Sequence, residues 1–181
     1  MNKTFILGMS TLLIFGVGGY CIVEVIQKRS FAEVWLQGMG VPTQLGIGIG
    51  YGLLISLLAL WIISRDFFKT EKMFYRQLIS QLDLNIGGVL FLSLCAGIAE
   101  EIFFRAGLQP LLGLWLTSVL FVFIHGYLNP YNWRLSIYGA AMVFFIAGMG
   151  YLFQEVGLIS AIAAHTVLDI VLFASLSGRN E

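Results

Sequence analysis

Six ionisable residues stand inside the most apolar stretches of the chain: Glu100, Glu101, Arg105, His125, His165 and Asp169. A charged side chain placed within a bilayer costs roughly 2.5–3.5 kcal/mol on insertion scales, so by default such residues mark a functional site. Glu101 and Arg105 are four apart, share a helical face and can pair. Glu100 is turned away from that face by about 100°. One carboxylate can thus be neutralised structurally while the other stays available. Phe121 and His125 share a face, as do His165 and Asp169. The two histidines of the chain both lie in these apolar stretches.

Two chemistries suit this set. In one, a carboxylate helped by histidine deprotonates water. In the other, Glu100, His125 and His165 ligate a divalent metal such as zinc, which activates the water instead. The His-Glu-x-x-His signature of soluble zinc proteases is absent, and the histidines are 40 residues apart on different segments, which weighs against a metal without deciding the matter. Less chemical readings also exist. Glu101–Arg105 would serve as a structural ion pair in any protein of this kind. His165 and Asp169 would brace two helices. The whole set would act as an ion or proton relay in a transporter, or as a polar core with no further role.

The elements that carry these residues follow from composition. Of 181 residues, 59% are hydrophobic and 11% are charged, against about 25% charged in a soluble domain. Length and the lack of any long polar stretch point to one membrane domain over 1–181. A formal net charge of zero argues against a nucleic-acid partner. A spanning helix needs about 20 mostly apolar residues. Six stretches qualify, near 5–26, 44–64, 86–108, 111–128, 135–154 and 156–176. The expected fold is an all-α, polytopic membrane bundle of about six transmembrane helices. The run 5–23 is longer than a signal-peptide core and lacks a cleavage site, so it reads as a retained span.

The connection 65–85 carries Arg65, Lys69, Lys72 and Arg76 and runs on to Asp83. It reads as a partly helical segment at the membrane surface. As the densest basic cluster it is placed in the cytoplasm. Six spans then put both termini there, together with Lys3, Arg134 and Arg179, while Lys28 and Arg29 fall outside near Glu33. The stretch 126–133 is rich in turn formers and interfacial aromatics and should end the fourth span. Gly46 with Gly50, or Gly48 with Gly52, is spaced for close helix packing, either internal or in a homo-oligomer. Cys21 and Cys95 read as free thiols in apolar surroundings.

These boundaries contain a conflict. They set Glu100 about 12 Å and His125 about 21 Å from the same membrane face at 1.5 Å per residue. A base and its partner must come within hydrogen-bond reach. A tilt, or a later start to the fourth helix, would close the gap.

Three motifs then stand in order: Glu100-Glu101-Ile102-Phe103-Phe104-Arg105, Phe121-Val122-Phe123-Ile124-His125 and His165-Thr166-Val167-Leu168-Asp169. Together they resemble the CAAX protease and bacteriocin-processing family (CPBP or Abi), also called type II CAAX prenyl endopeptidases. The likeness covers about 86–176, preceded by two additional spans. It implies an intramembrane endopeptidase acting on a membrane-associated or lipidated peptide or protein. Glu100 would be the general base and His125 would hold and activate water. His165 with Asp169 would stabilise the oxyanion, and Arg105 would orient the glutamates. Prenyl-protein members have Asn where this chain has Asp169. An aspartate donates no hydrogen bond unless protonated, so orienting His165 is its alternative role. A metal-free mechanism is favoured for those members, and metal use stays open here. The short chain suits a member of a bacterial cell membrane, with bacteriocin precursors, pheromones or other membrane peptides as substrates. The competing readings are a non-catalytic immunity or scaffold protein and a transporter.

Overall fold

The computed structural model describes residues 3–82 and 84–177. Asp83 and Arg179, used above to read charge bias, lie outside that set. The described residues are helical throughout apart from short connections, an all-α polytopic bundle. In chain order the helices are α1 (Lys3–Ile26), α2 (Phe31–Leu36), α3 (Val41–Ile63), α4 (Lys69–Ser80), α5 (Ile86–Leu112), α6 (Leu114–Ile124), α7 (Trp133–Glu155) and α8 (Leu158–Ser177).

Five of these, α1, α3, α5, α7 and α8, are long and apolar enough to cross a membrane. The fourth expected span is different. Helix α6 covers 11 residues in place of 111–128, about 16 Å of rise, which is too short to cross a hydrocarbon core of about 30 Å. Glycine explains both of its ends. Gly113 takes φ +81° and Gly126 takes φ +77°, left-handed values that residues with a Cβ adopt at a cost. The first delays the start of α6, and α5 runs on to Leu112 in compensation.

Local chemistry sets the other boundaries. Asn85 caps α5 by accepting from the Gly88 N–H at 2.8 Å, and Asn132 caps α7 by accepting from the Leu135 N–H at 3.0 Å. Pro42 sits in the first turn of α3, where its missing N–H costs nothing. Helix α4 confirms the helical reading of the 65–85 connection. It turns Ile79 inward and leaves Met73, Phe74 and Leu78 exposed.

Packing follows the small residues. A Cβ on Gly48 would collide with the Ser160 carbonyl oxygen, and one on Gly52 would lie 2.6 Å from that of Ala164. Gly48 and Gly52 therefore let α3 and α8 touch backbone to backbone, while Gly46 and Gly50 face open space. Gly19 does the same for α1 and α5, with its Cβ position 2.7 Å from the Phe103 backbone. The central core joins Phe104 of α5, Phe121 of α6, Met142 and Ile146 of α7 and Leu168 of α8.

One end of the bundle gathers α4 with the start of α1, α5 and α7 and the end of α3 and α8. Thr4 donates to the Leu82 carbonyl at 3.2 Å, Lys72 donates to Ser64 Oγ at 3.1 Å, and Asn132 donates to Glu71 at 3.1 Å. Between α6 and α7 the chain runs without helix from His125 to Asn132. It lies alongside α7, with the Tyr127 carbonyl 2.5 Å from the Cβ position of Gly139. Irregular backbone at that depth is tolerated only where protein buries it or where it lines a water-filled cavity.

Candidate active site

The late start of α6 removes the depth conflict. Measured from the α5–α6 turn, Glu100 lies 12 residues back from Leu112 and His125 lies 11 residues on from Leu114. At 1.5 Å per residue these are about 18 Å and 16 Å, nearly the same level. Glu100 Oε2 and His125 Nε2 are 3.2 Å apart.

Glu101 occupies the opposite setting. Its Oε2 accepts from Arg105 Nε at 2.9 Å, and its Oε1 is 2.8 Å from His165 Nδ1. Both Glu101 and Arg105 are 0% exposed. The two terminal nitrogens of the guanidinium are also engaged. Nη1 donates to Gln109 Oε1 and Nη2 to the Ile146 carbonyl, each at 3.1 Å, and Gln109 Nε2 donates to the Gly150 carbonyl at 2.9 Å. A buried charge is tolerable when every polar atom around it is partnered. These hydrogen bonds join α5, α7 and α8.

The backbone here is not ordinary α-helix. Ile102–Leu108 is π-helical and carries Arg105 in its middle. Such turns interrupt the regular hydrogen-bond ladder and occur often at functional sites. Gln27, at the end of α1, donates through Nε2 to the Ala106 carbonyl at 2.8 Å and the Gly107 carbonyl at 2.6 Å. The N-terminal span thereby supplies donors to carbonyls within the π turn.

The histidines are held by different means. His125 Nδ1 is 2.7 Å from the Phe121 carbonyl oxygen, which only accepts, so Nδ1 carries the proton. The ring stacks on Phe121 with centroids 4.4 Å apart. In the neutral tautomer Nε2 then presents a lone pair to a carboxylate oxygen, a repulsive contact unless one proton lies between them. A proton between the two atoms would make the contact a hydrogen bond. His165 is buried, and its Nδ1 is committed to Glu101. Its Nε2 is 3.8 Å from Asp169 Oδ2, too long for a hydrogen bond. The interhelical partner of His165 is thus Glu101, while Asp169 is a looser neighbour one turn on.

Glu100, His125, His165 and Asp169 line one cavity of about 330 Å³, within the range of small-ligand pockets. Its walls are otherwise mainly apolar, and it extends to Lys72, Tyr75 and Leu78 of α4. Glu101 and Arg105 lie behind its wall. All six residues expected from the sequence are thereby brought into one cluster, four at the cavity and two behind it. Gln109 and Gln27 were missed. Gln109 is one more four-residue step beyond Arg105, but the expected end of that span at 108 left it out. Gln27 had no local signal, because its partners are about 80 residues away.

The trio Glu100, His125 and His165 does not form a ready coordination set. His165 directs Nδ1 to Glu101, and among the described residues no group of three or more His, Cys, Asp or Glu side chains is arranged to hold a metal ion.

Residues 83–171 match the family described as "Type II CAAX prenyl endopeptidase Rce1-like". The matched segment contains every one of the six residues above and the whole of the three motifs. It excludes α1, α3 and α4, and therefore Gln27 and Lys72. The chain is also 35% identical over 89 residues to "Uncharacterized protein YpbD" of Bacillus subtilis (strain 168), an alignment covering 48% of this chain and 44% of that protein. The match thus spans less than half of that relative's length. No solved structure matches the chain.

Proposed function

We propose that this protein is an intramembrane endopeptidase in which Glu100 and His125 activate water at the cavity wall. The observation that carries the reading is the 3.2 Å approach of Glu100 Oε2 to His125 Nε2 on the surface of a mainly apolar cavity. Glu101 cannot compete for the role, because Arg105 and His165 already occupy both of its oxygens.

A water held beside the pair loses a proton to Glu100 as its oxygen bonds to the scissile carbonyl carbon. His125 steadies the proton through its fixed Nδ1–H tautomer. The carbonyl π electrons move onto oxygen. In its doubly protonated form His165 keeps Nδ1–H on Glu101 and offers Nε2–H to that oxyanion, since Asp169 sits too far away to claim it. The shared proton passes to the departing amine nitrogen and the C–N bond breaks, leaving a carboxylic acid and an amine, and the acid then gives up its proton so that the products leave as a carboxylate and an ammonium. No step is routed through a metal.

The substrate would be a peptide or lipidated protein of the membrane, entering from the α4 end of the bundle. The setting would be a bacterial cell membrane, with that end and both termini cytoplasmic.

The test compares termini of membrane peptides in cells expressing wild type or Glu100→Ala at matched levels. New termini that vanish in the variant would establish proteolysis and name the substrate. Identical termini, with both proteins folded, would transfer the reading to an immunity or scaffold role that works by binding alone.

A further inference from the structure

The cavity is electrically lopsided. Glu100 and Asp169 stand at one end of it and Lys72 at the other, and Lys72 is the one lysine or arginine among the described lining residues. Lys72, Tyr75 and Ile79 fall at i, i+3 and i+7 of α4, the spacing of one helical face, and all three line the cavity. Lys72 as a whole is half-buried, and its amine donates to Ser64 Oγ at 3.1 Å in an exposed hydrogen bond to a neutral partner. Nearby cations are used otherwise: Arg65 lies 3.9 Å over the Trp61 ring, and Arg134 lies 5.1 Å over that of Phe67.

We infer that Lys72 is a specificity-determining residue that pairs with a carboxylate of the substrate while the scissile bond lies at Glu100 and His125. This rests on the peptidase reading and names the class of peptide the site takes. The reasoning is electrostatic. A carboxylate in a mainly apolar cavity is costly without a partner. At the inner end it would also meet Glu100 and Asp169, which repel it. Beside Lys72 it gains a counter-charge away from both carboxylates, whereas His165 is already paired with Glu101, and Lys72 gains a partner in return. The cavity therefore orients a peptide, with its anionic group toward α4. Two groups can supply that charge, the C-terminal carboxylate or an acidic side chain close to the cleaved bond.

The experiment uses the purified full chain in phosphatidylcholine nanodiscs with N-terminally palmitoylated peptides of one apolar sequence. One form ends in a free carboxylate, one in an amide, and one in an amide with glutamate as its last residue. Mass spectrometry reads cleavage. The wild type should favour the free carboxylate over the plain amide by about fivefold in kcat/KM, the size of a good partly exposed ion pair. Lys72→Met should bring that ratio to about one, and Lys72→Arg should keep it. Because each ratio is taken within one preparation, differences in folded yield cancel. Should Lys72→Met fail to fold, Lys72→Gln reads the same ratio. If the glutamate peptide matches the free carboxylate, a side chain supplies the charge. If it matches the plain amide, the chain terminus does. Either result upholds the site. Wild-type ratios near one for both anionic peptides over the plain amide, or a preference unchanged in the methionine variant, would overturn the inference alone. Wild-type failure to cleave any of the peptides would overturn the peptidase reading, and this inference with it.

Discussion

Behind the cavity wall, Glu101 has two partners, is fully buried and reaches α8 and, through Arg105, α7. On the cavity side, Glu100 has one close polar neighbour, His125, whose short helix stops at that level. The two residues are adjacent in sequence and chemically identical, yet a rotation of about 100° along the helix places them in opposite surroundings. The inner region uses its hydrogen bonds to hold three elements, α5, α7 and α8, together. The outer region leaves a carboxylate oxygen and a histidine nitrogen with capacity to spare. A site that must be rigid and reactive at once is here divided between two neighbours, with rigidity on one side of α5 and reactivity on the other.

Breaking the inner side should have the largest effect. Arg105→Ala leaves the fully buried Glu101 with His165 as its one partner, and removing one member of a buried ion pair costs about 3–5 kcal/mol. Thermal unfolding in detergent should show a large drop in midpoint, and peptide cleavage should be lost with it. An unchanged midpoint would mean that the network is not what braces the bundle.

Breaking the outer side should separate the two properties. Glu100→Ala should lower cleavage by about 10²–10⁴-fold, the usual weight of a general acid–base group. Its unfolding midpoint should stay close to that of the wild type, because Glu100 braces nothing. A matched loss of stability would erase the contrast between the two regions.

A smaller effect sharpens the inner region's extent. Gln109→Leu removes the partners of Arg105 Nη1 and the Gly150 carbonyl. Leaving buried polar atoms unpaired costs about 1–3 kcal/mol. The same unfolding assay should place this variant between Arg105→Ala and the wild type.

Gln27 tests whether the inner region depends on the span outside the matched segment. Gln27→Leu frees two carbonyls of the π turn and should cost about 1–2 kcal/mol. Cleavage should fall more than that small loss of folded protein explains, since Arg105 sits within the turn that Gln27 holds. The smallest effect is expected from chelation. Cleavage in EDTA should match cleavage without it, and loss restored by added zinc would return Glu100, His125 and His165 to the role of ligands.

Much of the fold could be read from the chain alone. The apolar runs that became α1, α3, α5, α7 and α8 were placed within a few residues, because bilayer thickness imposes a length that composition reveals. The stretch 111–128 was misjudged chiefly at its start. Gly113 looks like other glycines of an apolar segment, and only its backbone angle shows that it delays a helix, whereas 126–133 was expected to end the span and the helix stops at Ile124. Within one helix the reading was also sound. Glu101 and Arg105 were expected to meet from their spacing, and they do at 2.9 Å. Phe121 and His125 were expected on one face, and they stack.

What the sequence by itself determined is therefore what depends on the helix period and the membrane's thickness: the bundle, its spans, and the split of two glutamates onto different faces of α5. Only the tertiary structure decided who meets whom between helices. It gave Glu100 to His125, Glu101 to His165 in place of Asp169, Arg105 to Gln109 and the Ile146 carbonyl, and the π-turn carbonyls to Gln27. Those pairings depend on each helix's depth, start and rotation relative to its neighbours. Such quantities are set by small-residue contacts, such as Gly52 against Ala164, between segments more than a hundred residues apart, and no local pattern of residues encodes them.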